Sequence, residues 1–201
     1  TQESIDPVRY ITNASTGKMG YALARACLNR GAAVTLISGP CQVSIKAWQA
    51  FCPLKVVNVV SSAEMHEATT KAFENSDIAI LCAAVADFTP QVTATQKIKK
   101  QPGQTEMTIT LKTTTDIAAA LGTSKQPHQR LIGFALETHN EQVNAERKLR
   151  DKKLDMIVLN SLQDKGAGFG VDTNKVTLLY ADGTKKDLPL LMKQEVADEI
   201  I

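Results

Sequence analysis

The chain lacks any apolar run near the roughly 18 residues that a membrane-spanning helix needs, and it lacks a signal-peptide pattern. A soluble, cytoplasmic protein with no membrane partner is therefore expected. Cysteine pairing motifs are missing too. Cys27, Cys41, Cys52 and Cys82 show no C-x-x-C spacing, which fits buried free thiols in a reducing compartment better than a disulfide framework. His66, His128 and His139 stand apart from each other and from any cysteine, so nothing favours a transition-metal site. Charge of one sign is not in excess: 23 Lys and Arg oppose 21 Asp and Glu, for a formal net charge of +2. That balance argues against general affinity for nucleic acid, and any basic function has to come from local clusters. The common phosphate-loop spacings G-x-x-x-x-G-K-[ST] and G-x-G-x-x-G are both absent.

What remains is an ordinary globular composition, 43% hydrophobic and 22% charged over 201 residues, enough for one α/β domain spanning 1–201. The most informative stretch is Asn13-Ala14-Ser15-Thr16-Gly17-Lys18-Met19-Gly20, where a loop with two glycines opens into an amphipathic helix. That helix is expected over about Lys18 to Arg30, with Met19, Ala22, Leu23, Ala26 and Cys27 apolar and Gly31 as a left-handed cap. Its first N–H groups have no partner within the helix, and the helix dipole adds positive charge, so the turn is a seat for phosphate. The plain alternative is that Gly17 and Gly20 only allow close helix packing.

Strand-like and helix-like segments alternate beyond this point. Expected are strands at Ala33 to Ile37 and Lys55 to Val60, then a helix capped by Ser61 or Ser62 running to about Asn75. An apolar strand, Asp77 to Ala84, follows. A polar loop, the flap, covers about 88–104, and a strand is expected near Thr105 to Lys112. A short helix from Asp116, a strand Arg130 to Ala135, a charged helix Asn140 to Lys153 and a strand Asp155 to Asn160 come next. A glycine-rich loop, 165–170, precedes a hairpin of Lys175 to Tyr180 and Thr184 to Leu188 turning at Asp182-Gly183, and a terminal helix from about Leu190. This order predicts a Rossmann-like, doubly wound, mainly parallel sheet with a C-terminal β-hairpin and ligands at the carboxyl ends of its strands. Such a sheet normally begins with a strand ahead of its first helix, and here that first strand is missing, since no apolar run lies near Thr1.

Five motifs stand in order along the chain: Asp6-Pro7-Val8-Arg9-Tyr10-Ile11-Thr12-Asn13 with Ser15 to Gly20, Ala83-Ala84-Val85-Ala86-Asp87-Phe88, Lys97-Ile98-Lys99-Lys100, Gly133 to Thr138, and Gly168 to Asn174. Together they resemble bacterial phosphopantothenoylcysteine synthetase, a coenzyme A pathway ligase often fused behind a flavin-dependent decarboxylase. The resemblance implies that a nucleoside triphosphate activates the carboxylate of 4'-phosphopantothenate as an acyl-nucleotidylate with release of pyrophosphate, after which the amine of L-cysteine forms the amide and releases the nucleoside monophosphate. The basic motif is similar to the bacterial type, which uses CTP and forms an acyl-cytidylate, releasing CMP. Magnesium and a homodimer are implied as well, with FMN only if a decarboxylase precedes the chain.

On this resemblance Asn13 holds the acyl intermediate, a role that suits a side-chain amide donating to an oxyanion; the alternative is a helix N-cap. Ser15, Gly17 and Gly20 meet the triphosphate, whereas Lys18 receives no chemical role. Arg9 is implied to reach the phosphopantothenate of the neighbouring subunit, as a planar guanidinium can. Ala83 and Ala84 offer backbone groups to the pantothenate arm. Asp87, at a strand end, suits a ribose hydroxyl, a pantothenate group or magnesium, and these three stay open. Lys97 is the flap lysine tied most closely to catalysis and nucleotide binding, with Lys99 and Lys100 beside it; a solvated basic loop is the usual fate of such a run. Phe134 flanks the base. Lys148 and Lys152, four apart on a helix face, contact CTP. Thr115, Asp116, Ile117 and Ala118 occupy the place of a Pro-Asp-Ile-Val nucleotide loop and depart from it at both ends.

Two rival readings are weaker. A nicotinamide-dependent oxidoreductase needs an acidic residue after the second strand, where Ser38-Gly39-Pro40 stands, and no Tyr-x-x-x-Lys pair occurs. A noncatalytic nucleotide-binding module would suit a sheet that truly has no first strand.

Overall fold

The computed structural model describes residues 1–41, 43, 53–137, 139–161 and 170–201, with only the backbone at 161. The glycine-rich loop is therefore seen only at Gly170, and Cys52 lies outside the described residues, as do the motif positions Thr138, Gly168 and Phe169. Five strands form the central sheet. In chain order these are β5 (Ile78–Leu81), β8 (Arg130–Glu137), β9 (Met156–Ser161), β11 (Val176–Tyr180) and β12 (Lys185–Asp187), arranged β12-β11-β9-β8-β5. β5, β8 and β9 run parallel, while β11 and β12 form the expected C-terminal hairpin and pair antiparallel. The sheet is thus mixed. A separate parallel pair, β3 (Val34–Ser38) with β4 (Leu54–Asn58), shares no ladder with β5.

The parallel strands are apolar on both faces because helices cover both. On β8 and β9, Leu131, Ala135, Ile157 and Leu159 join one core with α2 (Ser62–Phe73), α3 (Ile117–Ser124) and α4 (Glu141–Asp151). Their neighbours Ile132, Phe134, Met156 and Val158 face the other core, under α1 (Lys18–Asn29) and α5 (Lys193–Ile200). The two-residue period of a strand allots alternate side chains to these two layers. Leu131, Val158 and Leu178 are fully buried, and each such side chain contributes about 1.5–3 kcal/mol through lost contact with water.

Helix limits follow local chemistry. α1 stops where Gly31 takes φ 81° and its N–H returns to Leu28 O at 2.9 Å, the left-handed cap expected from sequence. Ser61 caps α2 by accepting the Glu64 N–H, and Asp116 caps α3 by accepting that of Ala119. The buried carboxylate of Glu3 receives the Ser62 N–H at 2.8 Å, placing negative charge at the start of α2.

Three features differ from the sequence reading. The chain opens with a small antiparallel hairpin, β1 (Gln2–Ser4) with β2 (Tyr10–Thr12), outside the central sheet. Within the segment read as flap, β6 (Phe88–Pro90) pairs with β7 (Leu111–Thr113). The strand expected over Thr105 to Lys112 is thereby reduced to its last residues, because β6 offers only three partners and a strand needs backbone to pair with. The two short strands β10 (Thr173–Asn174) and β13 (Leu191–Met192) pair beside the start of α5 and were not read from sequence.

Candidate functional site

The loop before α1 is built around Gly17, which sits at φ 80° as the residue preceding the helix. A side chain there would meet Cys41 Cβ at 3.3 Å, so both conformation and space favour glycine. Gly17 N–H donates weakly to Ser15 Oγ at 3.4 Å, and among the described residues no side chain caps the helix. The following amides therefore keep the free donors and dipole end that suit an anion. Open space lies beside Gly20, where an added Cβ would touch nothing within 4 Å. Beneath the turn, Tyr21 and Ser38 hydroxyls hydrogen-bond at 2.9 Å and Cys41 Sγ approaches Tyr21 Oη at 3.1 Å. This support was not read from sequence, since it joins distant residues. Lys18 pairs with Asp172 at 2.6 Å, fixing the helix start to the segment before β10.

Asn13 is not a helix cap. Its Nδ2 donates to Ala84 O at 3.2 Å and Val85 O at 3.0 Å, tying the α1 loop to the turn after β5. Both amide hydrogens are thus used by carbonyls in this conformation. The same turn is braced by Thr1, whose hydroxyl accepts the Ala86 N–H at 3.0 Å. Thr114 extends the brace through its hydroxyl to Ala86 O at 2.7 Å and its N–H to Asp87 O at 3.0 Å. No described group engages the Asp87 carboxylate.

Across the cleft, Lys148 and Lys152 each hold a carboxylate. Lys148 Nζ lies 2.7 Å from Glu137 at the end of β8, and Lys152 Nζ lies 2.9 Å from Asp116. Burial acts to raise the Asp116 pKa, but hydrogen bonds from Ala119 and Lys152 and the lysine charge outweigh it and hold it below the ordinary value. Asp116 therefore carries negative charge at the head of α3, and an incoming anion has to compete with it for Lys152. Ile117 is buried in the core and leaves only its backbone to the cleft, whereas Thr115 is exposed. Phe134 is half-buried against the core beneath α1.

One cavity of about 1670 Å³ brings most of the expected positions together. Asn13, Ser15, Gly17 and Gly20 line one wall, Ala83, Ala84 and Asp87 the floor, and 115–118 with Phe134, Lys148 and Lys152 the other side. Its size exceeds the roughly 300–1,000 Å³ of ordinary small-molecule sites because it continues between the edges of β3 and β5. Arg9, Lys97, Lys99 and Lys100 do not line it. Arg9 is held within its own chain by Asp6, and the flap lysines are exposed. Among the described residues no three His, Cys, Asp or Glu side chains gather as a metal site. Asp87 offers one carboxylate with no partner among the described residues, which suits a ribose hydroxyl, a pantothenate group or a share in a magnesium ion alike. Of the thiols, Cys41 is exposed, not buried as expected, while burial pushes Cys82 up to about 12.

Asp6 was missed as a functional candidate. Chiefly through the hydrogen-bonded Arg9 guanidinium, opposed by burial and helped by N–H groups of Val8, Ile98 and Arg9, its carboxyl lies well below the usual carboxylate range. The unfolded chain takes up this proton first, so the stabilisation is complete above the ordinary value of about 4 and is lost as pH falls toward the folded one. Urea midpoints are expected to fall steeply below about pH 4. Asp6→Asn should be less stable at neutral pH with a shallower acid limb; an identical acid limb would refute the assignment.

Residues 1–201 match the family described as DNA/pantothenate metabolism flavoprotein C-terminal domain. The chain belongs to this family. Among its relatives, the coenzyme A biosynthesis bifunctional protein CoaBC of Bacillus subtilis is 48% identical across the whole chain, and that of Escherichia coli is 40% identical. A relative named cysteine/cysteine sulfinic acid decarboxylase, of unknown prokaryotic origin, is 51% identical. The chain spans about half of these curated relatives, 48–54% of their lengths. The crystal structure of the C-terminal domain of a CoaBC superposes with a TM-score of 0.80 at 40% identity, covering all of this chain and 87% of that one. A Cab2 mutant in complex with phosphopantothenate-cysteine shares the fold, with a TM-score of 0.76 at 15% identity, covering all of this chain and 82% of that one. No helix among the described residues is long and apolar enough to cross a membrane.

Proposed function

We propose that the chain is one domain of coenzyme A biosynthesis that joins 4'-phosphopantothenate to L-cysteine using CTP. The observation that carries the reading is the convergence, on one cavity, of an uncapped helix N-terminus, two lysines from the far wall and the small residues after β5. The helix amides and Ser15 would hold the triphosphate, with Lys148 and Lys152 exchanging Glu137 and Asp116 for its oxygens. The substrate carboxylate attacks the α-phosphorus and pyrophosphate leaves; the cysteine amine then attacks the acyl carbon and CMP leaves. Lys97 and its neighbours neutralise the charge that collects on pyrophosphate. The backbone at 83–84 faces the pantothenate arm. Magnesium, held by phosphates with Asp87, would screen the triphosphate. Catalysis on this scheme is positioning and charge neutralisation, with no covalent protein intermediate.

Two finer points belong to the same proposal. A strand inserted parallel to both β3 and β5 would fill their cleft and complete a Rossmann-like sheet. Exposed Val8, Tyr10, Val92, Met107 and Leu111 lie on the two linked hairpins and favour a homodimer through them, next to Arg9. FMN would enter only with a fused or partner decarboxylase.

The deciding assay is pyrophosphate release from purified protein. It should require CTP and 4'-phosphopantothenate together; NADPH binding without such release would favour the oxidoreductase. On the proposal that Asn13 exchanges one of its two carbonyl partners for the acyl oxyanion, Asn13→Ala should keep part of the pyrophosphate release and lower amide formation about 10²-fold or more. Normal product formation would contradict the role of Asn13.

A further inference from the structure

The Asp6 carboxylate and Arg9 guanidinium close together on one peptide of the flap. Asp6 Oδ2 accepts the Ile98 N–H at 3.1 Å, and Arg9 Nη2 donates to Ile98 O at 2.9 Å. Both main-chain polar groups of Ile98 are therefore held by side chains far from it in sequence. Asp6 is itself held: Oδ1 accepts the N–H groups of Val8 and Arg9 at 2.9 Å each, and Oδ2 accepts Arg9 Nε at 3.0 Å and also Nη2. Two further bonds fasten the same edge of the flap to the end of β1 and the residue after it, from Thr93 Oγ1 to Ser4 O at 3.1 Å and from Ala94 N–H to Ile5 O at 3.0 Å.

The Asp6 side chain is wholly shielded from water, while Lys97, Lys99 and Lys100 on either side of the clamped peptide are exposed. A carboxylate so enclosed is tolerated only with its charge and lone pairs satisfied, and here the partners that satisfy it include the backbone of the basic motif itself. A solvated loop would have no need of such an anchor.

We infer that Asp6 and Arg9 are positioning residues for the flap: by gripping the Ile98 peptide from both ends they hold Lys97 and Lys99 at a fixed root from which the ammonium groups reach the triphosphate. The role rests on the ligase reading and adds to it a source of nucleotide affinity outside the cavity. A flexible root would have to be ordered when nucleotide binds, and that cost falls on CTP and not on 4'-phosphopantothenate.

Asp6→Asn should raise the KM for CTP about tenfold, clearly more than it raises that for 4'-phosphopantothenate. It should also speed amide exchange over 94–100, read by mass spectrometry. Ile98→Pro removes the clamped N–H and leaves the Asp6 and Arg9 pair intact, although it also fixes φ at 98 and restricts Lys97, so it should show the same selective rise in KM for CTP. Equal rises for both substrates in Asp6→Asn, or unchanged exchange over 94–100, would overturn the clamp. If the wild-type protein releases no pyrophosphate, the ligase reading fails, and the exchange result alone then decides whether the clamp exists.

Discussion

Replacing Gly122 by alanine is expected to lower stability by about 2–3 kcal/mol, even though alanine is the better helix former by about 1 kcal/mol. A methyl group on Gly122 would lie 1.9 Å from the Lys152 carbonyl oxygen and 2.8 Å from its carbon, where α3 abuts the end of α4. The obstacle is main chain, so no rotamer change relieves it, and the two helices must separate. For a domain of this size the melting temperature should fall by roughly 5–10 °C. The effect should reach the cavity as well, because Lys152 pairs with Asp116 at the head of the same α3. A rise in KM for CTP should therefore accompany the loss of stability. A melting temperature equal to wild type would show that the contact relaxes without cost.

Lys97→Gln is expected to lower kcat/KM for CTP by about 10²–10³, the range found when one group that stabilises developing charge is removed. Stability should not change, since Lys97 is exposed. Far-UV circular dichroism and a thermal melt would check the second statement, and pyrophosphate release the first. Unchanged kinetics would mean that Lys97 only solvates the flap. Comparison with Asp6→Asn separates charge from placement: glutamine removes the ammonium group from a fixed root, and asparagine loosens the root while the ammonium stays.

Much of the architecture is legible in the residues. Apolar runs mark β8 and β9 because both faces are buried, and Gly31, Ser61 and Asp116 mark helix ends because their conformations or side chains satisfy loose backbone groups. The β1 to β2 hairpin left no such trace. Its strands are three residues long, Asp6 lies in the connection between them, and neither period nor hydrophobicity signals it. The cavity residues were found chiefly through resemblance to a family, since Ser15 or Ala84 alone says little. Their partners were not found. Glu137 beneath Lys148, Asp6 beneath Ile98 and the Tyr21, Ser38 and Cys41 cluster are contacts between distant segments, and single-sequence spacing carries no information about those.

Gly133 has a wider meaning for how the strands find their alignment. Where one side of a sheet meets water, shifting a strand by one position exposes oily groups and is penalised at once. β8 is enclosed on both sides, so the same slip would merely exchange Leu131 for Ile132 between two similar interiors. Bulk takes over part of the task that polarity performs elsewhere: a side chain at Gly133 would come 2.7 Å from Leu154 Cδ1, so the end of that leucine has to swing aside for any larger residue, and volume weighs against the misaligned pairing.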